Sequence, residues 1–593
     1  MKKTAGVVLS FLSSRNGLIA VLALFCALFQ VFVLSGAKVF YPVLRALFAV
    51  LVLQLLAAFV RAARKQPLLW LAVLLIVLVR IPFYLHADGA MVTSDNACDG
   101  LQAVEMRDTH TAPYFLLGAV KHMGTIKYLT VAFLMDVIGN HYLAYLLIQA
   151  LLFVVVLFTL YDLLKDSLHP PALFFFIFLT QFAFIETVFD FSLSLRGSPY
   201  LEMLFFVLLG AGLVDREFRS PWRTVVGYYF LFFSIYIHPL GAVLVGSFGL
   251  VFLIPSLLRR RFWFNALAAA AGLAAGLYHW IYYLLFLPKP VASMGWEQMG
   301  LVPFSQISWG YFKEYVRVLH ETFQGIFNFE FSYLAPFFNA GRGAIAGAWI
   351  NQAAVVLSLA VTIAGIALAV RKIGRLIRKR DPLRSGNWPW ILEAVLAAAF
   401  AVKVFLFYPP RTEPRHNFDL VFLIILSYLL VFSALLRRRP RLGRWPAAAA
   451  IGLAILATIP HYVTFYEVVR DKETAYRKIL SILERSRVRY LTTDFIVAYP
   501  IYFLSGRTIR VTDSLGPFRV LDFFPDMRAE VDAVPPDRKA YMFFSERAPN
   551  RPWHKGRTEV IFRRTLKDLD AAGITYRTHE LRDYVIIIPR RRE

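Results

Sequence analysis

Apolar runs about 20 residues long recur from one end of this chain to the other, and that is the length an α-helix needs to cross ~30 Å of hydrocarbon. Inside a bilayer the backbone has no water to bond, so a chain patterned this way folds as a bundle of spanning helices. The runs lie near 17–36, 42–61, 67–85, 142–163, 171–190, 198–214, 222–237, 239–258, 263–287, 345–370, 388–408, 417–436 and 446–466, about thirteen in all. The composition agrees: 58% of residues are hydrophobic and 17% charged, against roughly 45–50% and about 25% in soluble domains. The expected fold class is an α-helical polytopic membrane protein.

Basic residues set the orientation. Lys2, Lys3 and Arg15 place the N-terminus in the cytoplasm, and alternation brings Arg61, Arg64, Lys65, Arg216, Arg219, Arg223, Arg259, Arg260, Arg261, the 371–384 stretch, Arg437, Arg438 and Arg439 to the same side. That is the positive-inside pattern. One cytoplasmic loop is weak, with Lys165 its single basic residue before Pro170. The connections at 86–141 and 288–344 and the tail 469–593 then face outward. The net charge of +25 is absorbed by anionic headgroups beside the cytoplasmic loops, so the bilayer is a partner and nucleic acid is not. The first run is followed at once by a second, and Ser35-Gly36-Ala37 is a faint cleavage signal, so it reads as an uncut anchor.

Three parts follow: a two-span hairpin at 1–66, a main bundle at 67–468, and a soluble domain at 469–593. In the last, strand patterns at 488–493, 508–512, 539–544, 574–580 and 584–589 alternate with helix patterns at 499–505 and 559–572, which predicts a small α/β layer fold. It carries no GxGxxG or P-loop pattern that would cradle a nucleotide. The two cysteines, Cys26 in a span and Cys98 in an outer loop, have neither disulfide nor metal spacing. The spans show no inverted repeat of the kind transporters carry.

The polar stretch 86–127 stands out against this background. It gathers Asp88, Asp95, Asp99, Glu105 and Asp108 where the chain leaves the membrane, and ionisable groups are costly there unless they work. Asp95 and Asp99 are four apart, one face of a helix. Ser94-Asp95 capping a helix near Ala97 is the structural alternative; the functional one is a general base for an acceptor hydroxyl. Residues 101–106 and 128–138 have helical spacing and are expected along the interface. Three further clusters fall on the same outer side: Arg196 to Glu202, His238-Pro239, and 408–417 with Arg411, Arg415, His416 and Asn417. Each alone could be a snorkelling anchor or a cap; together they resemble a site for an anionic lipid phosphate, which Arg grips bidentately. Trp296, Trp309, Tyr311, Tyr315, Phe323 and Phe327 in the second excursion fit an interfacial aromatic belt or a cover over a lipid-linked ligand.

Ser94-Asp95-Asn96, then Gly100-Leu101-Gln102-Ala103, Pro113 and the segment 123–129 (MGTIKYL) resemble the first outer loop of bacterial GT-C glycosyltransferases, in particular the protein mannosyltransferase and aminoarabinose transferase superfamily. Arg196-Gly197-Ser198-Pro199-Tyr200-Leu201-Glu202 resembles an Arg-Gly-Gly-Tyr-x-Glu element with Pro inserted. Arg415-His416-Asn417 stands where many members have Arg-Tyr, and the segment 494–506 resembles part of their soluble tail. The resemblance implies a multi-pass enzyme of the bacterial inner membrane that moves a sugar from a polyprenyl-phosphate donor to an envelope glycan, lipid or protein outside. Asp95 would be the base with Asp99 in reserve; Lys127, Arg196, Glu202, His238, Arg411 and Arg415 would bind donor and acceptor. Asn96 replaces a carboxylate common in the family, so no metal ligand is assigned; no cofactor is firmly implied and a divalent metal stays open. A lipid or sugar transporter and a non-catalytic envelope-assembly protein are the alternatives.

Overall fold

The computed structural model describes residues 14–65, 68–90, 94–113, 124–139, 142–169, 172, 198–214, 220–258, 262–286, 308–310, 313, 316, 348–378, 387–406, 418–438, 466–467, 469–515, 524–545 and 555–590. Its helical part comprises α1 (Arg15–Ser35), α2 (Phe40–Lys65), α3 (Leu68–Leu85), α4 (Ser94–Thr109), α5 (Ile126–Ile138), α6 (Tyr142–Leu164), α7 (Ser198–Leu213), α8 (Pro221–Ile237), α9 (Gly241–Leu258), α10 (Phe262–Gly276), α11 (Tyr278–Phe286), α12 (Ala348–Arg378), α13 (Trp388–Leu406) and α14 (Phe418–Arg438). Every expected apolar run falls on a helix except those at 171–190 and 446–466, of which only Ala172 and Tyr466 are among the described residues. Helices α1, α2, α6 and α12 are long and apolar enough to cross a membrane by length and composition. The protein is a helical polytopic membrane protein. Helix α12 runs past its expected end, so part of the basic 371–384 stretch is helix rather than loop.

The bundle has two distinct ends. At one, Arg15 pairs with Asp162 at 2.9 Å, Lys165 pairs with Asp162 at 2.5 Å, and Arg223 donates to Asn16 at 2.5 Å. Arg437 reaches the Ser167 carbonyl there too, which supplies the charge that the Lys165 loop lacks. At the opposite end Arg45 pairs with Asp136 at 2.9 Å, and Tyr41 of α2 stacks on His110 at 4.4 Å. Arg15, Lys165, Arg223 and Arg437 thus gather at one end, and the described part of the acidic stretch lies at the other.

Helices α7 and α8 come close because both carry glycine at their crossing. A Cβ on Gly210 would lie 2.7 Å from the Gly227 carbonyl oxygen, a backbone approach that only small residues permit between spans. This contact fixes the two helices whose opposite-end residues, Glu202 and His238, enter the site.

After the bundle, a helix α15 at 469–485 leads into β1 (Tyr490–Thr492), α16 (Phe495–Leu504), β2 (Arg510–Thr512), α17 (Pro525–Ala533), β3 (Ala540–Phe544), α18 (Lys555–Ala571), β4 (Tyr576–Glu580) and β5 (Tyr584–Pro589). The sheet order is β2-β1-β3-β5-β4; β1 is parallel to β2 and β3, and β5 is antiparallel to β3 and β4. The alternating patterns foretold all five strands and α18. They missed α15 and α17, and α16 starts earlier than its expected 499. Helix α16 is apolar all round, which marks a helix buried on every side: from Phe495 to Phe503 nearly every residue is buried. Asp494 caps it by accepting from the Ile496 amide at 2.9 Å.

The C-terminal α/β domain is not a separate globule. One continuous apolar core runs from Phe29 and Phe32 in α1 through Ala97 and Leu101 in α4 to Val497 and Ile501 in α16 and Ile586 in β5. A second, small cluster of Tyr541, Phe543, Leu569 and Ile587 lies under α18.

Candidate active site

The acidic stretch folds as a helix longer than its apolar spacing suggested, α4 from Ser94 rather than 101–106. Asp95 lies in its first turn, with its side chain outside the described residues. One turn on, Asp99 is 7% exposed, and Tyr145 near the start of α6 donates its hydroxyl to Oδ2 at 3.3 Å. Burial pushes the Asp99 carboxyl up to about 6, while the Lys127 charge and the hydroxyls of Tyr128 and Tyr145 pull the other way. A carboxyl poised there stays ionised at neutral pH and still takes a proton readily.

Lys127, second residue of α5, is 4% exposed. Its ammonium lies over the ring of Tyr128 at 4.6 Å and of Tyr145 at 5.3 Å. Desolvation holds its pKa below the usual lysine value, and the charges of Asp99 and Glu202 work against that fall. Among the described residues Nζ makes no hydrogen bond. A buried ammonium with three donors and no acceptor is costly for the fold alone; cation–π contact offsets part of that cost and leaves the donors unused. Glu202, 6% exposed, enters from the first turns of α7. The structure therefore brings Asp99, Lys127 and Glu202 together from three separate stretches of sequence.

His238 packs against α7, the helix that carries Glu202. It ends α8 in an extended conformation, its Nδ1 accepts from the Leu240 amide at 3.2 Å, and its ring lies 4.7 Å from that of Tyr200, two residues before Glu202. The start of α5 is tied to the same helix end: Gly124 donates to the Ile237 carbonyl at 3.1 Å, and the Thr125 amide to the Tyr236 hydroxyl at 3.3 Å. These backbone contacts fix Lys127 relative to His238. Arg196, Arg411, Arg415, His416 and Asn417 lie outside the described residues. Among the described residues no three His, Cys, Asp or Glu side chains stand together as a metal site.

Sequence spacing did not single out Tyr145 or Tyr142. They look like interfacial aromatics at the start of a span, and only the return of α6 past α4 sets Tyr145 against Asp99 and Tyr142 against Phe503. The signal that could have found them is their polarity in the opening turn of an otherwise apolar run.

No family model and no curated protein matches the chain. Solved structures do. They include ArnT from Cupriavidus metallidurans bound to undecaprenyl phosphate, with TM-score 0.41, 13% identity, and coverage of 87% of this chain and 97% of that one. The apo state of the same protein gives TM-score 0.38 and 10% identity over the same shares. A likeness this distant carries no argument about chemistry, which has to come from the side chains.

Proposed function

We propose that this protein is a membrane glycosyltransferase, moving a sugar from a polyprenyl-phosphate donor to an acceptor hydroxyl outside the cytoplasm. The observation that carries the reading is the Asp99–Lys127–Glu202 cluster, with its unsatisfied ammonium, at the bundle end opposite the Arg15, Lys165 and Arg223 cations. A lipid-linked donor fits that placement, because nucleotide sugars are made on the cytoplasmic side. Charges at one rim, not at the midplane, fit an enzyme better than a transporter.

In the proposed reaction the acceptor oxygen attacks the anomeric carbon, Asp95 takes the hydroxyl proton, and the bond from carbon to the lipid phosphate oxygen breaks. The polyprenyl phosphate leaves with the bonding pair, through an oxocarbenium-like state. A single displacement inverts the anomeric centre. Asp99, one turn after Asp95, holds Lys127 in place, and the ammonium offers its donors to oxygens of the sugar phosphate. In their charged forms two carboxylates against one ammonium leave the cluster acidic, so the phosphate itself calls for more cations. Arg415, with Arg411 in support, supplies that charge in this reading. Arg196, Glu202 and His238 position sugar or acceptor.

Ligand-dependent stabilisation tests the donor class, since whatever binds only the native state raises its stability. Polyprenyl monophosphate should raise the melting temperature of the purified protein, and much less that of Arg415→Ala. Stabilisation by a nucleotide sugar, with none by the lipid phosphate, would overturn the proposal.

A further inference from the structure

The C-terminal domain packs along the helix that bears the acids, from Cys98 to Asp108. On α4, Gly100 faces Phe503 of α16 so closely that a Cβ there would lie 2.8 Å from the ring. Phe503 also packs on Tyr142 of α6, ring centroids 4.4 Å apart, so it sits in the corner between α4 and α6. At the far end of α4, Asp108 receives Arg107 at 2.6 Å and is paired with Arg507. Arg507 follows α16 with φ of 68°, directly after Gly506 at 61°. A non-glycine residue held in the left-handed region signals strain that its surroundings impose, and here that conformation accompanies an ion pair to another domain. Just before the first of these contacts Cys98, beside Asp99, is 3% exposed and close enough to Asp513, which follows β2, to feel its charge.

We propose that the soluble domain is a clamp on α4, with Phe503 and Arg507 as positioning residues that hold Asp99 against Lys127 and Tyr145. The inference rests on the proposed role of Asp99, but the clamp itself can be measured apart from transfer. Phe503 excludes water from one side of α4, and that exclusion is what desolvates the Asp99 carboxyl. Glycine at 100 is required because the contact is between an aromatic face and a helix backbone. The small α/β fold, which carries no nucleotide pattern, thereby supplies the fourth wall of a site whose other walls are α5, α6 and α7.

Cys98 is a built-in reporter. The chain's other cysteine, Cys26, is fully buried in α1, so a bulky maleimide added to purified protein in nanodiscs reads Cys98 alone. Phe503→Ala should speed Cys98 labelling at least 10-fold and lower kcat at least 10-fold with donor KM within about threefold. It should also move the acid limb of the pH–rate profile below its wild-type position, since hydration lowers the Asp99 pKa. Phe503→Leu should restore most of each. Arg507→Asp should act like Phe503→Ala, and the double exchange Arg507→Asp with Asp108→Arg should recover. Unchanged labelling in Phe503→Ala and Arg507→Asp would overturn the clamp. Faster labelling with unchanged kcat and pH profile would overturn its positioning role. An active Asp99→Asn would remove the site reading instead, which the labelling arm keeps distinct.

Discussion

Lys127→Met separates a functional ammonium from a structural one, because the two readings predict opposite relations between stability and activity. The side chain is 4% exposed and Nζ makes no hydrogen bond among the described residues. For the fold, the substitution removes a cation–π contact of about 0.5–2 kcal/mol and the desolvation cost of a buried charge, which is of the opposite sign and often larger. It also strips Asp99 of its nearest cation. Asp99 does not remain a bare buried charge, because Tyr145 still donates to it at 3.3 Å and its pKa, already about 6, rises until it takes up a proton. That relief limits the cost to about 1.4 kcal/mol for each unit of rise. The net change in stability is therefore within about 2 kcal/mol of zero, in either direction. For transfer, the loss is a charge-assisted bond to a donor oxygen, about 1.5–3 kcal/mol, or roughly 10- to 150-fold in kcat/KM.

The assay pairs a transfer rate with a melting curve at neutral pH, for Lys127→Met and for Lys127→Met with Asp99→Asn. The double variant carries no uncompensated carboxylate at 99, so it should regain stability and stay inactive. In the single variant the acid limb should move up from about 6, since the Lys127 charge that lowers the Asp99 pKa is gone. Transfer within threefold of wild type, or activity that returns with stability in the double variant, would refute a donor-binding ammonium.

Asp95→Asn should lower transfer by ~10²–10⁴ while leaving expression and membrane insertion intact, as removal of a general base does; a rate within a few-fold of wild type would pass the role to Asp99. Arg415→Ala should raise the donor concentration for half-saturation far more than Arg415→Lys, because lysine keeps the charge and loses the fork; equal titrations would move the phosphate site to Arg411. Wild-type transfer should fall as pH drops through about 6, the value to which burial raises the Asp99 carboxyl; an acid limb near 4 would mean the group is solvated. Single cysteines at Thr111, Ser308 and Ser545, in a Cys98→Ser background, should all react with an impermeant thiol reagent on intact cells; protection at any of them would shift the span count by one.

The sequence made the membrane class and the sidedness of charge legible because both are carried by local composition: a spanning run or a basic loop needs no partner to be recognised. The C-terminal α/β domain was nearly as readable, since the β-branched run at 584–589 and its turn-bounded neighbours are local too. Asp99, Lys127, Glu202 and His238 could each be chosen as candidates, but their convergence could not. It depends on the Gly210–Gly227 crossing and on α6 returning Tyr145 to α4, contacts between residues far apart in the chain. The clamp was hidden for the same reason. Gly100 reads as a poor helix residue until Phe503, some four hundred positions later, is laid against it. Helix α16 is apolar on every side, which in a sequence of spans looks like one more apolar fragment rather than a helix wedged between a sheet and the acids.

The central claim is sugar transfer from a polyprenyl monophosphate. The purified protein, in bilayer discs with crude envelope acceptor, should be given three radiolabelled donors of the same sugar: polyprenyl monophosphate, polyprenyl diphosphate and the nucleotide sugar. Label should reach the acceptor from the monophosphate alone, with release of free polyprenyl phosphate in equal amount, and both should be lost in Asp95→Asn. Label arriving from the diphosphate lipid or the nucleotide sugar, or undiminished transfer in Asp95→Asn with Asp99→Asn, would contradict it.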